Sequence, residues 1–393
     1  MIPLQFEPRF DADMTPRIEP GTVRVLRAPS LTVEDQLAWS HLSKIACADS
    51  IFSASWFMQS VLANFDVEHN YRLFVVQGDD GDWDGVFIAA RVTQLGRIPL
   101  AHLKNMLDAN QFLGVPLVRP GAEYRFWVKL CDALDTAKLG CTAIRFSEMP
   151  ADHRVTQSLL AYCQDSGRGI EMLASKERAL WTPDGSSDFN WSDNLSAKQA
   201  RRFASLERQF TEQLGLIELH TVSNSAELDR WISEFLALEL AGWKGREGSA
   251  LSSNSATAVH FRFVVKTGFE AGKLRALALR ANDQPVAMSS YFLDGQHAFG
   301  FKAAYDESFA KFAPGMLLKK AIMEMHQATL GLCFDSCSDP DAHAINKLWP
   351  NRRPIHDYLV SIGNVFDRGQ FKAAIAARGL WHRLKALKPP SPF

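Results

Sequence analysis

The sequence has no long hydrophobic segment and no excess of charge of either sign. Its 393 residues include 43 Lys and Arg against 44 Asp and Glu, a formal net charge of −1. Such a chain has no overall field that attracts nucleic acid or anionic lipid. No run approaches the roughly 18 consecutive apolar residues that span a bilayer. The first twenty residues contain acids and prolines and lack the apolar core of a secretory signal. We therefore expect a cytoplasmic protein with no transmembrane segment and no DNA partner.

Several motifs of catalysis and metal binding are also absent. The sequence has no Ser-His-Asp order, no zinc-ligand spacing and no G-x-G-x-x-G after a strand, so hydrolase, metalloenzyme and dehydrogenase functions lack support. The six cysteines form no C-x-x-C pair. Cys333 and Cys337 flank Asp335 in "CFDSC", where we expect buried thiols and no metal. A carboxylate in such an apolar strand needs partners, for which Arg352 or Arg353 are the candidates.

Two parts of the chain show the same order of predicted elements. Residues 71–106 read as three strands. Residues 273–305 read as three more, and these are joined by turns at "ND" and "DG". Each set is followed by a loop, a Pro-Gly pair, a helix, a strand, a second helix and a closing strand. The glycines of the two pairs, Gly121 and Gly315, are separated by 315 − 121 = 194 residues. The pattern predicts a duplicated α/β (α+β) unit, each copy a mixed, mostly antiparallel sheet flanked by helices.

The length and the repeat together predict two domains. We place the boundary in the Asp-, Ser-, Gly- and Asn-rich stretch 183–194. The predicted division is a flexible N-terminal tail (1–21), an N-terminal domain (22–185), a C-terminal domain (186–370), and a C-terminal helix and tail (371–393).

The second Pro-Gly pair opens its helix without an acidic residue in the first turn. Proline fixes φ at a helix start, so the pair can be purely structural. The unpaired N–H groups of a helix N-terminus also bind phosphate. In the first copy, Glu123 follows Gly121 by two residues and would repel a phosphate. We therefore predict that the second copy, and not the first, binds a phosphate-containing ligand.

The second half resembles the GNAT acyltransferase superfamily in its double-domain branch, with CelD-like acetyltransferases and FemAB aminoacyltransferases as relatives. The resemblance rests on "FLALELAGWKGREGSA", "PVAMSSYFLDGQHAFGFKAAYDESFAKFAPGMLL" and "FDSCSDPDAHAINKLWPNRRPI", and covers about residues 195–365. It implies two tandem GNAT-like domains. It also implies an acyl-CoA, expected to be acetyl-CoA, as co-substrate, with its pyrophosphate at the loop before the main helix. The family pattern Q/R-x-x-G-x-G/A aligns with "AKFAPGM", where Ala310 and Ala313 replace the first two motif residues.

The resemblance and the residue chemistry together give a candidate site. The candidate donor-binding residues are Lys311, Ala313, Gly315 and Met316. Tyr305 can protonate a departing thiolate, and Asp306 or Glu239 can accept the amine proton. The candidate substrate-binding residues are Trp243, Lys244 and Lys302. Each of these residues also has a purely structural explanation, such as capping, packing or solvation.

The resemblance implies two enzymatic functions, and the departures from the family pattern leave a third, non-catalytic one open. The first is an N-acyltransferase acting on an amine of a small-molecule or lipid-linked sugar, in contact with the enzymes of exopolysaccharide or cell-envelope polymer synthesis. The second is a FemAB-like peptidyl transferase that uses aminoacyl-tRNA. The third is a non-catalytic regulator of polysaccharide synthesis, which predicts no open channel at the end of the third strand of the second copy.

Overall fold

The computed structural model describes residues 23–46, 48–183, 191–329 and 331–386. The chain forms two compact units. Unit 1 contains Met1–Ser175 and Pro354–Phe393, and unit 2 contains Lys176–Arg353. The predicted N-terminal tail, Cys47 and most of the predicted boundary stretch lie outside the described residues.

Two long strands, β7 (Ile170–Trp181) and β13 (Asn351–Ser361), contribute residues to both units. The other elements of unit 1 are β1 (Val23–Leu26), α1 (Val33–Ile45), α2 (Ser55–Phe65), β2 (Arg72–Gln77), β3 (Trp83–Leu95), β4 (Ile98–Asn105), β5 (Leu117–Val118), α3 (Glu123–Thr136), β6 (Ala143–Pro150), α4 (Arg154–Asp165) and α11 (Val365–Ala386). Those of unit 2 are α5 (Ala197–Leu214), β8 (Ile217–Thr221), α6 (Ser225–Ala241), α7 (Trp243–Arg246), α8 (Ser255–Glu270), β9 (Leu274–Ala281), β10 (Gln284–Asp294), β11 (His297–Tyr305), α9 (Pro314–His326), β12 (Cys333–Asp335) and α10 (His343–Leu348).

The two units have the same sheet order, which confirms the predicted duplication. In unit 1, β1, β2, β3 and β4 pair antiparallel in succession, β4 pairs parallel with β6, and β6 pairs antiparallel with β13. In unit 2, β8, β9, β10 and β11 pair antiparallel, β11 pairs parallel with β12, and β12 pairs antiparallel with β7. A helix, α3 or α9, connects the two parallel strands in each unit. Each sheet is therefore mixed and mostly antiparallel.

The closing strands are exchanged between the two sequence repeats. β7 ends the first repeat but pairs with β12 through Leu180 and Trp181. β13 ends the second repeat but pairs with β6 between Ile355 and Ser361. The compact units therefore differ from the contiguous division predicted at 183–194, because composition marks the linker but not the partner of a strand.

The turns follow the local chemistry of the sequence. Asn282 and Asp283 both have positive φ, 50° and 61°, the combination that a two-residue type I′ hairpin requires. Gly295, with φ of 59°, lies in the turn that joins β10 to β11. Both predicted hairpins are present. Helix α10 has Ala342 as its N-cap, and no side chain caps it.

Each unit has its own hydrophobic core, built between the sheet and the helix that connects the parallel strands. In unit 1, Phe126, Trp127 and Leu130 of α3 are buried against the sheet. In unit 2, the buried residues Leu317 and Ile322 of α9 have the same place. This packing fixes the position of the first turn of α9 relative to β11.

Candidate functional site

The parallel strands of unit 2 separate after a short pairing. Phe299 pairs with Asp335, which is the last residue of β12, whereas β11 continues to Tyr305. Gly300 marks the separation, because a Cβ on this residue would lie 2.3 Å from the carbonyl oxygen of Ser336. Only glycine permits this close approach of the two backbones. The edge of β11 beyond Gly300 is thus left without β12 as a partner.

Helix α9 begins with a conformation suited to an anion. Ala313 occupies the left-handed region with φ of 54° and ψ of 52°, and Pro314 is the first helical residue. The first turn contains no acidic residue, and no side chain caps it. Among the described residues, no hydrogen-bond acceptor pairs with the N–H of Gly315. The unpaired N–H and the positive end of the helix dipole both favour negative charge here.

Tyr305 lies between this helix start and a cleft. Its exposed fraction is 36%. Its Cδ1 would lie 3.8 Å from a Cβ built on Gly315. The cleft has a cavity volume of about 40 Å³ and is lined by Leu238, Glu239, Gly242, Trp243, Lys244, Ala303, Ala304, Tyr305 and Glu307. Four predicted site residues from distant parts of the sequence thus meet at the end of β11.

Glu239 is a buried acceptor with both oxygens engaged. Its exposed fraction is 4%. Its Oε1 accepts a hydrogen bond from Nζ of Lys244 at 2.7 Å, and its Oε2 accepts one from the N–H of Leu251 at 2.8 Å. A carboxylate held in this way positions Lys244 and the following loop. Its oxygens are not available to take a proton from a substrate, which differs from the predicted role of Glu239 as a base.

Glu307 was missed by the sequence analysis. One of its oxygens accepts the backbone N–H of Trp243 at 2.5 Å, and the other accepts Arg246 at 2.7 Å. The hydrogen bonds from Arg246 and the Trp243 N–H lower the pKa of this carboxyl. Glu307 therefore ties the end of β11 to α7. The only sequence signal for Glu307 was its position two residues after Tyr305. Its partners Trp243 and Arg246 are more than 60 residues away in sequence, so these contacts could not be predicted.

The other predicted site residues lie around the helix start. Asp306 accepts the N–H of Ser308 through Oδ1 at 2.9 Å, so it caps the following 3-10 turn. Nζ of Lys311 is 4.6 Å from the centre of the Phe312 ring. Met316 packs against the core of unit 2 from the first turn of α9. Lys302 lies over the ring of Phe301 and is not part of the cleft lining.

Asp335 forms a buried ion cluster below the strand separation. The predicted pair with Arg353 is confirmed at 3.1 Å, and Arg178 adds a second contact at 2.7 Å. Arg352 is not a partner, since it donates to the carbonyls of Trp349, Asn346 and Asn351. Burial would raise the pKa of Asp335, but the two guanidinium groups outweigh burial and lower it. The cluster fixes β12 where it leaves β11.

The two cysteines beside Asp335 do not share a strand face. β12 ends at Asp335, and Cys337 has a positive φ of 50°. Burial raises the pKa of the Cys337 thiol, and Cys333 and Cys337 are free. Within the described residues, no group of three or more His, Cys, Asp or Glu side chains could hold a metal ion.

The corresponding helix start of unit 1 is occupied by the protein's own charges. Asp84 is fully buried and accepts hydrogen bonds from Arg119 at 2.5 Å and from Arg125 at 2.7 and 2.8 Å. Glu123 is the first residue of α3, and Gly121, with φ of 82°, precedes the helix. Gly121 therefore lies before the N-cap Ala122 and outside α3, whereas Gly315 is the second residue of α9. The two Pro-Gly pairs match in sequence but not in helix position.

Comparison with known proteins finds a family match in the second half of the chain. Residues 197–341 match the family model described as acetyltransferase (GNAT) domain. A search among curated proteins finds no match. Among the described residues, no helix is long and apolar enough to cross a membrane.

Three solved structures are similar over most of the chain. A conserved protein of unknown function from Bacteroides thetaiotaomicron VPI-5482 has 14% identity and a TM-score of 0.51, covering 84% of this chain and 98% of that one. FemX has 9% identity and a TM-score of 0.52, covering 86% of this chain and 96% of that one. A tandem GNAT protein from the clavulanic acid biosynthesis pathway has 15% identity and a TM-score of 0.41, covering 87% and 99%. Residues 197–341 are thus similar to an acetyltransferase (GNAT) domain, in a chain whose two units share one sheet order.

Proposed function

We propose that unit 2 transfers an acyl group from an acyl-CoA, with acetyl-CoA as the expected donor, to an amine. The observation that carries this proposal is the uncapped, acid-free start of α9 beside Tyr305 and the separating strands. A pyrophosphate at the N–H of Gly315 would direct the thioester toward the unpaired edge of β11. Backbone N–H groups along this edge can stabilise the oxyanion that forms during transfer.

Tyr305 of the cleft and its chain neighbour Asp306, which is not part of the cleft lining, supply proton transfer. The amine nitrogen attacks the thioester carbon, a C–N bond forms and the C–S bond breaks. The departing sulfur takes the hydroxyl proton of Tyr305, while the amine proton passes to Oδ2 of Asp306 or to water. Such proton transfers contribute about 10² to 10⁴ in rate. Holding the donor and acceptor together contributes the remaining acceleration and needs no covalent intermediate.

The acceptor that best fits the resemblance is a sugar amine or a lipid-linked precursor of an exopolysaccharide or other envelope polymer. The cleft supports this choice by its chemistry. Trp243, with an exposed fraction of 46%, offers an aromatic face on which a sugar ring can stack. Lys244 at the cleft wall offers a polar contact, whereas both oxygens of Glu307 are already engaged by Trp243 and Arg246. Acyl-CoA and a precursor of this kind meet in the cytoplasm, where we propose that the reaction takes place.

An aminoacyl-tRNA donor is the second candidate, because the fold is similar to that of FemX over most of both chains. It would require a basic surface around the start of α9. The basic side chains near this point have other contacts: Lys320 pairs with Glu207 at 2.7 Å, and burial lowers the pKa of Lys319 to about 8. Lys311 lies over an aromatic ring. These contacts favour a small anionic donor over a tRNA.

Calorimetry with acetyl-CoA, longer acyl-CoAs and charged tRNA tests the proposal directly. We expect binding of an acyl-CoA at micromolar to millimolar concentration and no salt-dependent binding of tRNA. Binding of tRNA with a steep salt dependence would favour the second candidate instead. If neither ligand binds at millimolar concentration, the enzymatic proposals are wrong and a regulatory role gains support.

Tyr305→Phe separates chemistry from binding. This variant should bind acetyl-CoA as the wild type does but lower kcat by about 100-fold, since it removes only the proton donor. An unchanged kcat would exclude Tyr305 as the acid.

A further inference from the structure

The C-terminal helix α11 exposes a continuous apolar face. Phe371 and Ala374 are buried against unit 1, together with the half-buried Ile375. The residues on the opposite side of the helix recur at intervals of three and four positions and are Phe366, Gly369, Ala373, Ala376 and Leu380. The exposed fractions of Phe366 and Leu380 are 72% and 60%, and that of the neighbouring Val365 is 88%. A stripe of large apolar side chains that are this exposed to solvent marks an interaction surface.

Basic and aromatic side chains border this face. Residues 365–386 contain five Lys and Arg (368, 372, 378, 383 and 385) against one acid, Asp367. Lys372 and Arg383 are exposed beside the stripe. Trp381, with an exposed fraction of 42%, lies at the far end, where Arg97 contacts its ring at 5.9 Å. Arg368 pairs with Asp135 at 2.8 Å and Arg378 lies 3.9 Å from Glu171, so the exposed positive charge beside the stripe is that of Lys372 and Arg383.

We propose that α11 docks unit 1 on a membrane surface that contains anionic lipid. Apolar side chains with a basic border and aromatic residues at the ends are the pattern of helices that lie in the interface plane. Anionic headgroups attract the basic residues while Phe366 and Leu380 enter the acyl region. No part of this proposal requires the helix to span the bilayer.

A second copy of this chain is a poorer occupant. The centre of the stripe consists of glycine and alanine, which present little side-chain area, whereas stable interfaces bury roughly 1,200 Å² or more. Two copies would also bring like charges together at Lys372 and Arg383. A flat anionic surface complements the charge and needs no matching shape.

Flotation of the full-length protein with vesicles tests the proposal. Vesicles of phosphatidylcholine with about 30% phosphatidylglycerol should carry the protein to the top fraction, whereas pure phosphatidylcholine should carry much less. The double variant Phe366→Ser/Leu380→Ser should weaken binding at least about tenfold. The double variant Lys372→Glu/Arg383→Glu should weaken binding to the anionic vesicles by a similar factor.

A matched control is available on α1, where Val33 and Leu37 are also four residues apart and have exposed fractions of 71% and 65%. Val33→Ser/Leu37→Ser should leave vesicle binding within about twofold. The proposal is overturned by absent binding to anionic vesicles, by equal binding to both vesicle types, or by equal loss in the two serine variants. A dimer in light scattering that Phe366→Ser/Leu380→Ser dissociates would also overturn it in favour of a second copy.

Discussion

Gly315→Glu should strongly weaken donor binding without unfolding the protein. Gly315 has negative φ, and an added Cβ meets only Cδ1 of Tyr305 at an ordinary 3.8 Å, so the backbone tolerates a side chain. A carboxylate about 6 Å from a phosphate charge costs about 2–3 kcal/mol at an effective dielectric constant of about 20, reduced somewhat by solvent screening. That energy corresponds to weakening of Kd by about 30- to 150-fold.

Calorimetry with acetyl-CoA on three variants separates charge from bulk. Gly315→Ala should bind nearly as the wild type does, and Gly315→Gln should show only the effect of size. Gly315→Glu should be much weaker than Gly315→Gln, and the difference should shrink at 1 M salt, where the Debye length is about 3 Å. Thermal unfolding of all three checks that the fold is retained. If Gln and Glu weaken binding equally at low salt, repulsion at the helix start is not the cause and the assignment of the donor phosphate to Gly315 fails.

The remaining predictions address the second helix start, the ion cluster and pH. Glu123→Gln should leave acetyl-CoA binding unchanged, because the start of α3 is outside the proposed donor site. Stronger or weaker binding by this variant would indicate that the donor binds to unit 1. Asp335→Asn should lower the free energy of unfolding by about 3–5 kcal/mol, since it leaves Arg178 and Arg353 buried without their counter-charge; urea denaturation measures it, and a loss below about 1 kcal/mol would mean that the arginines are solvated. Burial lowers the pKa of His260 from 6.5 to about 4, so the unfolded state binds the proton first. Stability is complete above pH 6.5 and falls toward pH 4, by about 2 kcal/mol between pH 7 and pH 5. His260→Gln should remove this part of the loss in urea denaturation, and an unchanged pH dependence would contradict the assignment.

Local chemistry in the sequence determined most elements and their order. The type I′ turn at Asn282 and Asp283 needs residues that tolerate positive φ, and the hydrophobic period separates strands from helices without reference to the rest of the chain. The repeat of that order twice made two equivalent units the expected architecture. The helix start at Pro314 could also be predicted from the sequence, because the proline and the lack of acidic residues in the first turn are local features.

Local sequence patterns also predict one helix and one apolar stripe that the sequence analysis did not include. The long helix α8 has an Asn254 cap and buried His260, Phe261, Val264 and Val265 at helical spacing. Its existence was therefore predictable from the sequence. The apolar stripe of α11 could also be predicted, because its spacing of three and four residues is visible in the sequence. Its exposure to solvent could not be predicted in this way.

Tertiary structure alone decided the contacts between distant residues. Arg178 is a partner of Asp335 because β7 pairs with β12, and no sequence pattern states which strand an edge will accept. Glu239 proved to be an engaged acceptor because the fold brings Lys244 and Leu251 to its two oxygens. The two Pro-Gly pairs also could not be distinguished from the sequence, because identical dipeptides occupy different positions relative to their helices. Sequence fixes what each segment can form on its own, whereas pairing and charge neutralisation depend on which segments the chain brings together.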